Sequence, residues 1–128
     1  MVKVTPEIDT EKIKALCELT GAPYEENALC YFIYVDGKVG GLCLFKLTAE
    51  GGRIIALRNH PRVDDRDALI IGGKACLDFI ERKSGFYAYF DDNDTPLAKA
   101  LGFGEKEGRL YLDMHGYFGG CGCCNKKL

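Results

Sequence analysis

Two polar segments of the sequence carry the side chains best suited to move protons or hold anions. The first is the mixed-charge loop 58–66 (RNHPRVDDR), where His60 is the side chain whose ordinary pKa lies near neutrality. Asp64 and Asp65 would need raised pKa values to exchange protons at neutral pH. The alternative, which this composition leaves open, is a solvated loop with no chemical role.

The second segment is 71–75 (IGGKA), near the start of a long helix predicted over 67–82. Helix N-termini expose backbone N–H groups at the positive end of the helix dipole, and glycines let a phosphate come close to the backbone. Gly72 and Gly73, followed by Lys74, therefore make a candidate phosphate site. The alternative is that two small residues let this helix pack close to a sheet.

A third candidate lies in the Gly- and Cys-rich tail, 119–128, where Cys121, Cys123 and Cys124 fall within four residues. Three thiolates could hold Zn²⁺ with His115 as a fourth ligand, but adjacent cysteines are poor geometry for one mononuclear site. A loose, oxidation-prone tail is the simpler interpretation. No bound metal is expected.

Size and charge narrow the classes of function. The 128 residues fit one domain, 1–118, followed by the tail, and a net charge of −2 gives no electrostatic reason to expect nucleic acid or membranes as partners. The sequence shows neither a long apolar run nor an apolar leader, so a cytoplasmic protein with reduced thiols is expected. Four cysteines lie within apolar patterns and should be buried: Cys17, Cys30, Cys43 and Cys76.

Hydrophobic periodicity and turn residues place the elements that must position these candidates. A meander of three antiparallel strands is followed by a long helix, a strand, a short helix that ends at Gly102, and a last strand. Gly40-Gly41 marks a β-bulge in the second strand. The pattern indicates an α+β fold with one mixed sheet. The predicted helices are 9–20, 67–82 and 95–101, and the predicted strands are 29–35, 38–47, 53–57, 86–90 and 109–114.

This order of elements, closing on Leu101-Gly102-Phe103, resembles the acetyl-CoA-binding core of the GNAT N-acetyltransferase superfamily over roughly residues 29–114. The resemblance implies the acyl-CoA N-acyltransferase fold, in which a single mixed, mostly antiparallel sheet is flanked by helices and splays to admit the pantetheine arm. It also implies acetyl-CoA as co-substrate and direct transfer of the acetyl group to an amine on a small molecule or a peptide.

The resemblance assigns roles residue by residue. His60 and Asp65 would be catalytic, with His60 as the base that takes a proton from the amine. The pantetheine would lie along the backbone of Ile55, Ala56 and Leu57. The remaining cofactor contacts are Arg66, Ile71, Gly72, Gly73, Lys74, Ala75 and Asn93.

Two positions depart from the superfamily pattern. Ile70 stands where a basic residue is usual, so Arg66 would supply that charge, and Ala98 stands where many members carry a Tyr that protonates the leaving thiolate. Two alternatives therefore stay open: a non-catalytic GNAT-like domain that binds CoA or a protein partner, and a metal- or redox-responsive protein that uses the C-terminal cysteines. Exposed edge strands are compatible with a homodimer.

Overall fold

A mixed sheet of seven strands organises the part of the chain that the computed structural model describes, residues 1–49, 51–115 and 117. Three helices pack on this sheet. In chain order the elements are β1 (Val2–Pro6), α1 (Thr10–Thr20), β2 (Leu29–Val35), β3 (Lys38–Thr48), β4 (Gly51–Asn59), α2 (Arg66–Ser84), β5 (Tyr87–Phe90), α3 (Thr95–Leu101), β6 (Gly104–Lys106) and β7 (Arg109–Asp113).

The strands are ordered β1-β2-β3-β4-β5-β7-β6 across the sheet. Neighbouring strands are antiparallel except β4 and β5, which are parallel. The expected α+β fold with a mixed, mostly antiparallel sheet is confirmed. Among the described residues, none of the helices combines the length and apolarity needed to span a bilayer.

Local sequence signals set the ends of α1 and α3 where the sequence predicted them. The Asp9 carboxylate accepts N–H groups of the first turn of α1, and Gly21 ends that helix with a φ of 74°. Asp94 caps α3 in the same way, Pro96 occupies its first turn, and Gly102 ends it with a φ of 105°. Both φ values favour glycine, which explains why the helices stop there.

Two strands were not predicted from the sequence. β1 pairs along its whole length with β2, from Val2 opposite Val35 to Pro6 opposite Tyr31. β6 is three residues long, fully exposed, and exists through its pairing with β7. β6 has no apolar face of its own, so its conformation depends on the neighbouring strand. β1 alternates Val2 and Val4, which pack on the core, with Lys3 and Thr5, but this five-residue pattern was not recognised as a strand.

Apolar clusters cover both faces of the sheet. On one face, α2 and α3 contribute Leu77, Ile80 and Leu97 to a cluster that includes Ile33 and Phe45 of the sheet. On the other face, α1 contributes Ile13, Leu16 and Cys17, which pack with Phe32, Leu42 and Leu44. The four cysteines predicted to be buried are buried.

The sheet opens between β4 and β5. Adjacent residues of β3 pair with Ile54 and Ala56, so Ile55 is an extra residue that forms a β-bulge in β4. The parallel pairing with β5 ends at Ile54 opposite Phe90, while β4 continues to Asn59. Within the described residues, the last part of β4 therefore presents an edge to the gap left by β5.

The start of α2 lies one residue before the predicted bound at residue 67, which places Gly72-Gly73 beyond the first turn. The helix begins at Arg66, and the Asp65 carboxylate accepts the N–H of Ala68 at 3.0 Å as its N-cap. Gly72 is thus the seventh residue of the helix. Since only the first four N–H groups of a helix lack an intrahelical acceptor, the backbone of 72–75 is not a free anion site.

The two glycines of α2 serve packing instead. A Cβ atom on Gly72 would lie 2.4 Å from Cδ1 of Ile33, and one on Gly73 would lie 2.8 Å from Cδ1 of Leu101. Both distances are shorter than a side chain could tolerate without moving its neighbours. The small residues let α2 lie close to the sheet, which was the alternative that the sequence left open.

Candidate functional site

The opening between β4 and β5 holds a buried carboxylate. Leu57, on the free edge of β4, donates its backbone N–H to Oδ2 of Asp92 at 2.9 Å. Asp92 follows β5, and its side chain is only 2% exposed. Arg58 donates to the same carboxylate from Nε at 3.1 Å and from Nη2 at 2.8 Å, and the Asn93 N–H donates at 2.8 Å. Four donors therefore converge on one pair of oxygens.

The carboxylate of Asp92 is held in its charged form. Burial alone would raise the pKa of Asp92, but the hydrogen bonds from Arg58 and from the backbone of Leu57 and Asn93 bring it below its ordinary value. The hydrogen bond to Asp92 in turn raises the pKa of Arg58. Nη1 of Arg58 also donates to the Thr20 carbonyl at 3.1 Å, which ties the guanidinium to the end of α1.

Chemically, this arrangement is a preformed receptor for a negatively charged oxygen. Backbone N–H groups and a guanidinium aimed at one point stabilise charge strongly where water is excluded. Here the chain's own Asp92 occupies that point. A carbonyl oxygen on which charge develops would meet the same donors if Asp92 turned away.

A second charged network lies beside the opening. Asp91 bonds its backbone N–H to the Ile54 carbonyl at 2.8 Å, and its carboxylate contacts Nε of Arg53 and Nη2 of Arg109. Arg53 also pairs with Glu25 at 2.6 Å, and these bonds raise the pKa of Arg53 and lower that of Glu25. Acids and bases alternate along this network, so it carries little net charge toward a ligand.

His60 lies directly after β4, where its backbone N–H donates to the Gly40 carbonyl at 2.8 Å. Its ring Nδ1 accepts the N–H of Arg62 at 3.1 Å. In a neutral ring this bond assigns the proton to Nε2. A catalytic role for His60 stays a prediction.

Asp65 has a structural part in the same region. Its carboxylate caps α2, and its backbone N–H donates to Oδ1 of Asn59 at 3.2 Å. Nδ2 of Asn59 donates to the carbonyls of Asp65 and Gly40, both at 3.3 Å. These bonds tie the end of β4 to the start of α2. They give Asp65 a structural reason to be there, and its catalytic role stays a prediction.

The predicted cofactor contacts fall into two groups. Ile55, Ala56 and Leu57 have buried side chains, so a ligand could contact only their backbone. Leu57 and Asn93 meet on the Asp92 carboxylate.

The second group lies on α2. Arg66 is at the helix start and pairs with Asp94 at 3.4 Å. Ile71 and Lys74 are exposed further along the helix. Ala75 is partly buried.

Two residues at the centre of the site were missed by sequence reasoning, Asp92 and Arg58. The sequence signal for Asp92 is the acidic run 91–94, which directly precedes the predicted helix 95–101 and therefore also suits a helix cap. Arg58 was placed in a solvated loop, whereas it lies within β4. A buried pair of this kind depends on strand pairing and is invisible in the linear sequence.

The described residues contain no group of three or more His, Cys, Asp or Glu side chains placed to hold a metal ion. Cys121, Cys123 and Cys124 lie outside the described residues, so the tail hypothesis stays a prediction.

Comparison of the structure with solved structures identifies the fold. The ribosomal-protein-S18-alanine N-acetyltransferase from Escherichia coli is similar with a TM-score of 0.68 and 14% identity, over 89% of this chain and 94% of that chain. The GNAT family N-acetyltransferase YhbS from Escherichia coli, in complex with CoA, is similar with a TM-score of 0.67 and 13% identity, over 96% of this chain and 87% of that chain. PaiA N-acetyltransferase from Thermoplasma acidophilum, in complex with coenzyme A, is similar with a TM-score of 0.62 and 10% identity, over 88% of this chain and 97% of that chain.

The chain therefore has the GNAT acyl-CoA N-acyltransferase fold that the order of its elements predicted. No protein-family model matches the sequence, and no curated protein matches it. At these identities the likeness extends to the fold, and the function has to be argued from the site itself.

Proposed function

We propose that this chain is an acyltransferase that moves the acetyl group of acetyl-CoA to an amine. The observation that carries the proposal is the Leu57 N–H, which lies on the free edge of β4 and already holds an anionic oxygen together with Arg58. This is the donor set that acyl transfer requires where charge develops on the carbonyl oxygen. The similar proteins of known structure include acetyltransferases in complex with CoA.

The donor set of the opening fits the thioester end of the ligand. Past Ile54, β4 is an edge whose backbone can pair with an extended chain that carries amide groups, as pantetheine does. The oxygen of such a ligand would replace Oδ2 of Asp92 on the Leu57 N–H. Ligand entry therefore requires Asp92 to leave the opening.

Each residue of the opening then has a defined role in the transfer of the acetyl group. The amine nitrogen attacks the acetyl carbonyl carbon, a C–N bond forms, and the C–S bond breaks. Leu57 and Arg58 stabilise the negative charge that grows on the carbonyl oxygen. Ala98 has no proton to give, so the departing thiolate takes its proton from water, and the resulting hydroxide takes the proton that the amine nitrogen loses.

The test is isothermal titration of the reduced protein with acetyl-CoA, followed by an assay of thiol release with a panel of amines. Binding in the micromolar range with release of thiol is the expected result. Arg58→Gln should lower the rate by roughly 100-fold, since it removes one charge-stabilising donor. Arg109→Gln, which removes an exposed arginine of the neighbouring network, is the matched control. Absence of binding at millimolar acetyl-CoA contradicts the proposal.

A second candidate is a non-catalytic GNAT-fold domain. The observation that favours it is the opening itself, because Asp92 fills it and satisfies the Leu57 N–H without any ligand. Ala98, at the position where many GNAT proteins carry a Tyr that protonates the thiolate, also favours a non-catalytic domain. The assay of thiol release separates the two candidates, since only the acyltransferase turns acetyl-CoA over.

A further inference from the structure

The other end of a CoA molecule would have to meet the start of α2. That turn is acidic: Asp65 caps it with its own carboxylate, Asp67 lies in its first turn, and Asp64 precedes it. In this turn the Ala68 N–H is already bonded to the Asp65 carboxylate at 3.0 Å, and the Leu69 N–H to the Asp65 carbonyl at 3.3 Å. An incoming phosphate would meet this carboxylate at the helix start.

The charge around the helix start opposes a diphosphate. Residues 62–67 contain two arginines and three aspartates, so the segment carries a net charge of −1. Arg66, which the sequence suggested as the phosphate partner, is paired with Asp94 at 3.4 Å. Like charges within a few ångströms cancel the small gain that a helix N-terminus offers an anion.

The opening at Leu57 has the opposite electrostatics. There a guanidinium and backbone donors surround one carboxylate, so replacing that carboxylate with another oxygen ligand leaves the donors satisfied. At the start of α2, replacing Asp65 would still leave Asp64 and Asp67 beside the ligand. The thioester end of the ligand would therefore be bound much more favourably than its diphosphate end.

We infer that this chain recognises the acyl-pantetheine part of its thioester substrate and takes little affinity from the nucleotide. The substrate class is then pantetheine thioesters in general, with or without the 3′-phospho-ADP group. This inference rests on the proposed function, because it concerns the ligand of the same opening.

The experiment is a paired titration of the reduced wild-type protein with acetyl-CoA and with S-acetyl-pantetheine, which lacks the nucleotide. We expect dissociation constants within about fivefold of each other, the size of one weak helix-terminus contact. Acetyl-CoA binding 100-fold tighter than S-acetyl-pantetheine would overturn the inference and leave the acyltransferase proposal standing. If neither ligand bound, the proposed function would fall, and this inference with it.

A designed variant tests the stated cause. Asp65→Ser with Asp67→Gly removes two carboxylates, while serine keeps the ability to cap the helix. Affinity for acetyl-CoA should rise roughly three- to thirtyfold, and affinity for S-acetyl-pantetheine should stay unchanged. An equal change for both ligands, or none for acetyl-CoA, would show that the carboxylates do not exclude the nucleotide.

Glu11→Gly is the matched control for charge, because Glu11 occupies the first turn of α1 as Asp67 does that of α2. It removes the same kind of charge from the start of a different helix. Both ligands should bind this variant as they bind the wild type.

Discussion

At the opening between β4 and β5, and again at the first turn of α2, a backbone N–H is bonded to an aspartate of the chain itself. The Asp92 carboxylate is 2% exposed and receives bonds from two backbone groups and a guanidinium. The Asp65 carboxylate is partly exposed, receives the Ala68 N–H, and has Asp67 as a neighbour. One carboxylate is surrounded by donors and the other by like charge.

This difference in surroundings concerns two tasks that CoA binding combines, which are holding the acyl oxygen and holding the phosphates. Where several donors surround one carboxylate, an oxygen of a ligand can take its place on the same donors, and negative charge that develops on that oxygen restores the balance with Arg58. Where carboxylates cluster, no exchange makes the place favourable for a phosphate. On the proposed function, the opening between β4 and β5 would stabilise an acyl oxygen, while the carboxylate at the start of α2 caps its own helix.

The largest effect should come from Asp92→Ala. Removing one partner of a buried ion pair leaves Nε and Nη2 of Arg58 and the Leu57 N–H without this acceptor, which should lower the free energy of unfolding by about 2–3 kcal/mol. The same change opens the site, so the affinity for acetyl-CoA should rise about tenfold, the worth of one hydrogen bond to a charged group. Urea unfolding and calorimetric titration measure the two quantities.

Asp78→Ala is the control for this variant, because it also breaks an Asp–Arg pair, but at the exposed surface of α2. It should change the free energy of unfolding by less than about 0.5 kcal/mol and leave binding as it is. Weaker binding of acetyl-CoA by Asp92→Ala would mean that Asp92 contributes to ligand binding. This result would contradict the claim that a ligand oxygen replaces the Asp92 carboxylate.

Acid should act on the same carboxylate. Because the pKa of Asp92 is lowered in the folded protein, the stabilisation from its charged form is complete above the unfolded pKa near 4 and is lost as the pH falls through the lowered value. Asp92→Asn cannot titrate. Its stability should therefore fall less steeply than that of the wild type between pH 7 and pH 3.

Other lowered carboxyls, on Glu25, Asp36 and Asp113, titrate in both proteins, so the difference between the two curves isolates Asp92. Thermal unfolding followed by circular dichroism at each pH gives the curves. Parallel curves over this range would show that the carboxylate contributes no pH-dependent stability.

How far the sequence predicted this structure depended on whether a signal was local. The ends of α1 and α3 and the bulge at Gly40 follow from caps, glycines and alternation within a few residues, and all were predicted. β6 lacks such signals and forms by pairing, and the short alternation of β1 was too brief to be recognised without its partner strand. The order of strong local elements was enough to predict the fold.

The site was predicted less well because it is assembled across the sheet. Leu57 was named for its backbone and Asn93 for the loop that follows β5, and the structure brings them onto one carboxylate. The partner of both, Asp92, lies 35 residues from Leu57 in the chain. Gly72 and Gly73 gave a weak local signal that two different structures could explain, and their close contacts with Ile33 and Leu101 favour the packing role.

Gly72→Ala separates those two explanations. Alanine would gain about 1 kcal/mol of helix propensity, but its Cβ would lie 2.4 Å from Cδ1 of the fully buried Ile33. Overpacking of this kind costs about 1–3 kcal/mol, so we expect a net loss of about 1 kcal/mol in the free energy of unfolding. A phosphate site at Gly72 would instead predict unchanged stability and weaker acetyl-CoA binding.

Two variants check the assignment. Adding Ile33→Val to Gly72→Ala removes the clashing methyl group and should recover part of the stability in a double-mutant cycle. Gly104→Ala, in β6, meets nothing within 4 Å and should be nearly neutral. Denaturant unfolding of the set gives the coupling energy directly.

The smallest effects concern Asp65, where a cap and a catalytic base make different predictions. As an N-cap, Asp65→Ala should cost about 1 kcal/mol of stability, while Asp65→Asn, which also caps well, should cost almost nothing. Asparagine cannot accept a proton as a base does, and loss of a general base slows a reaction by about 100- to 10,000-fold. We expect Asp65→Asn to transfer acetyl groups within about threefold of the wild-type rate. A stable Asp65→Asn protein without activity would make Asp65 catalytic, and the acidic start of α2 would then belong to the active site.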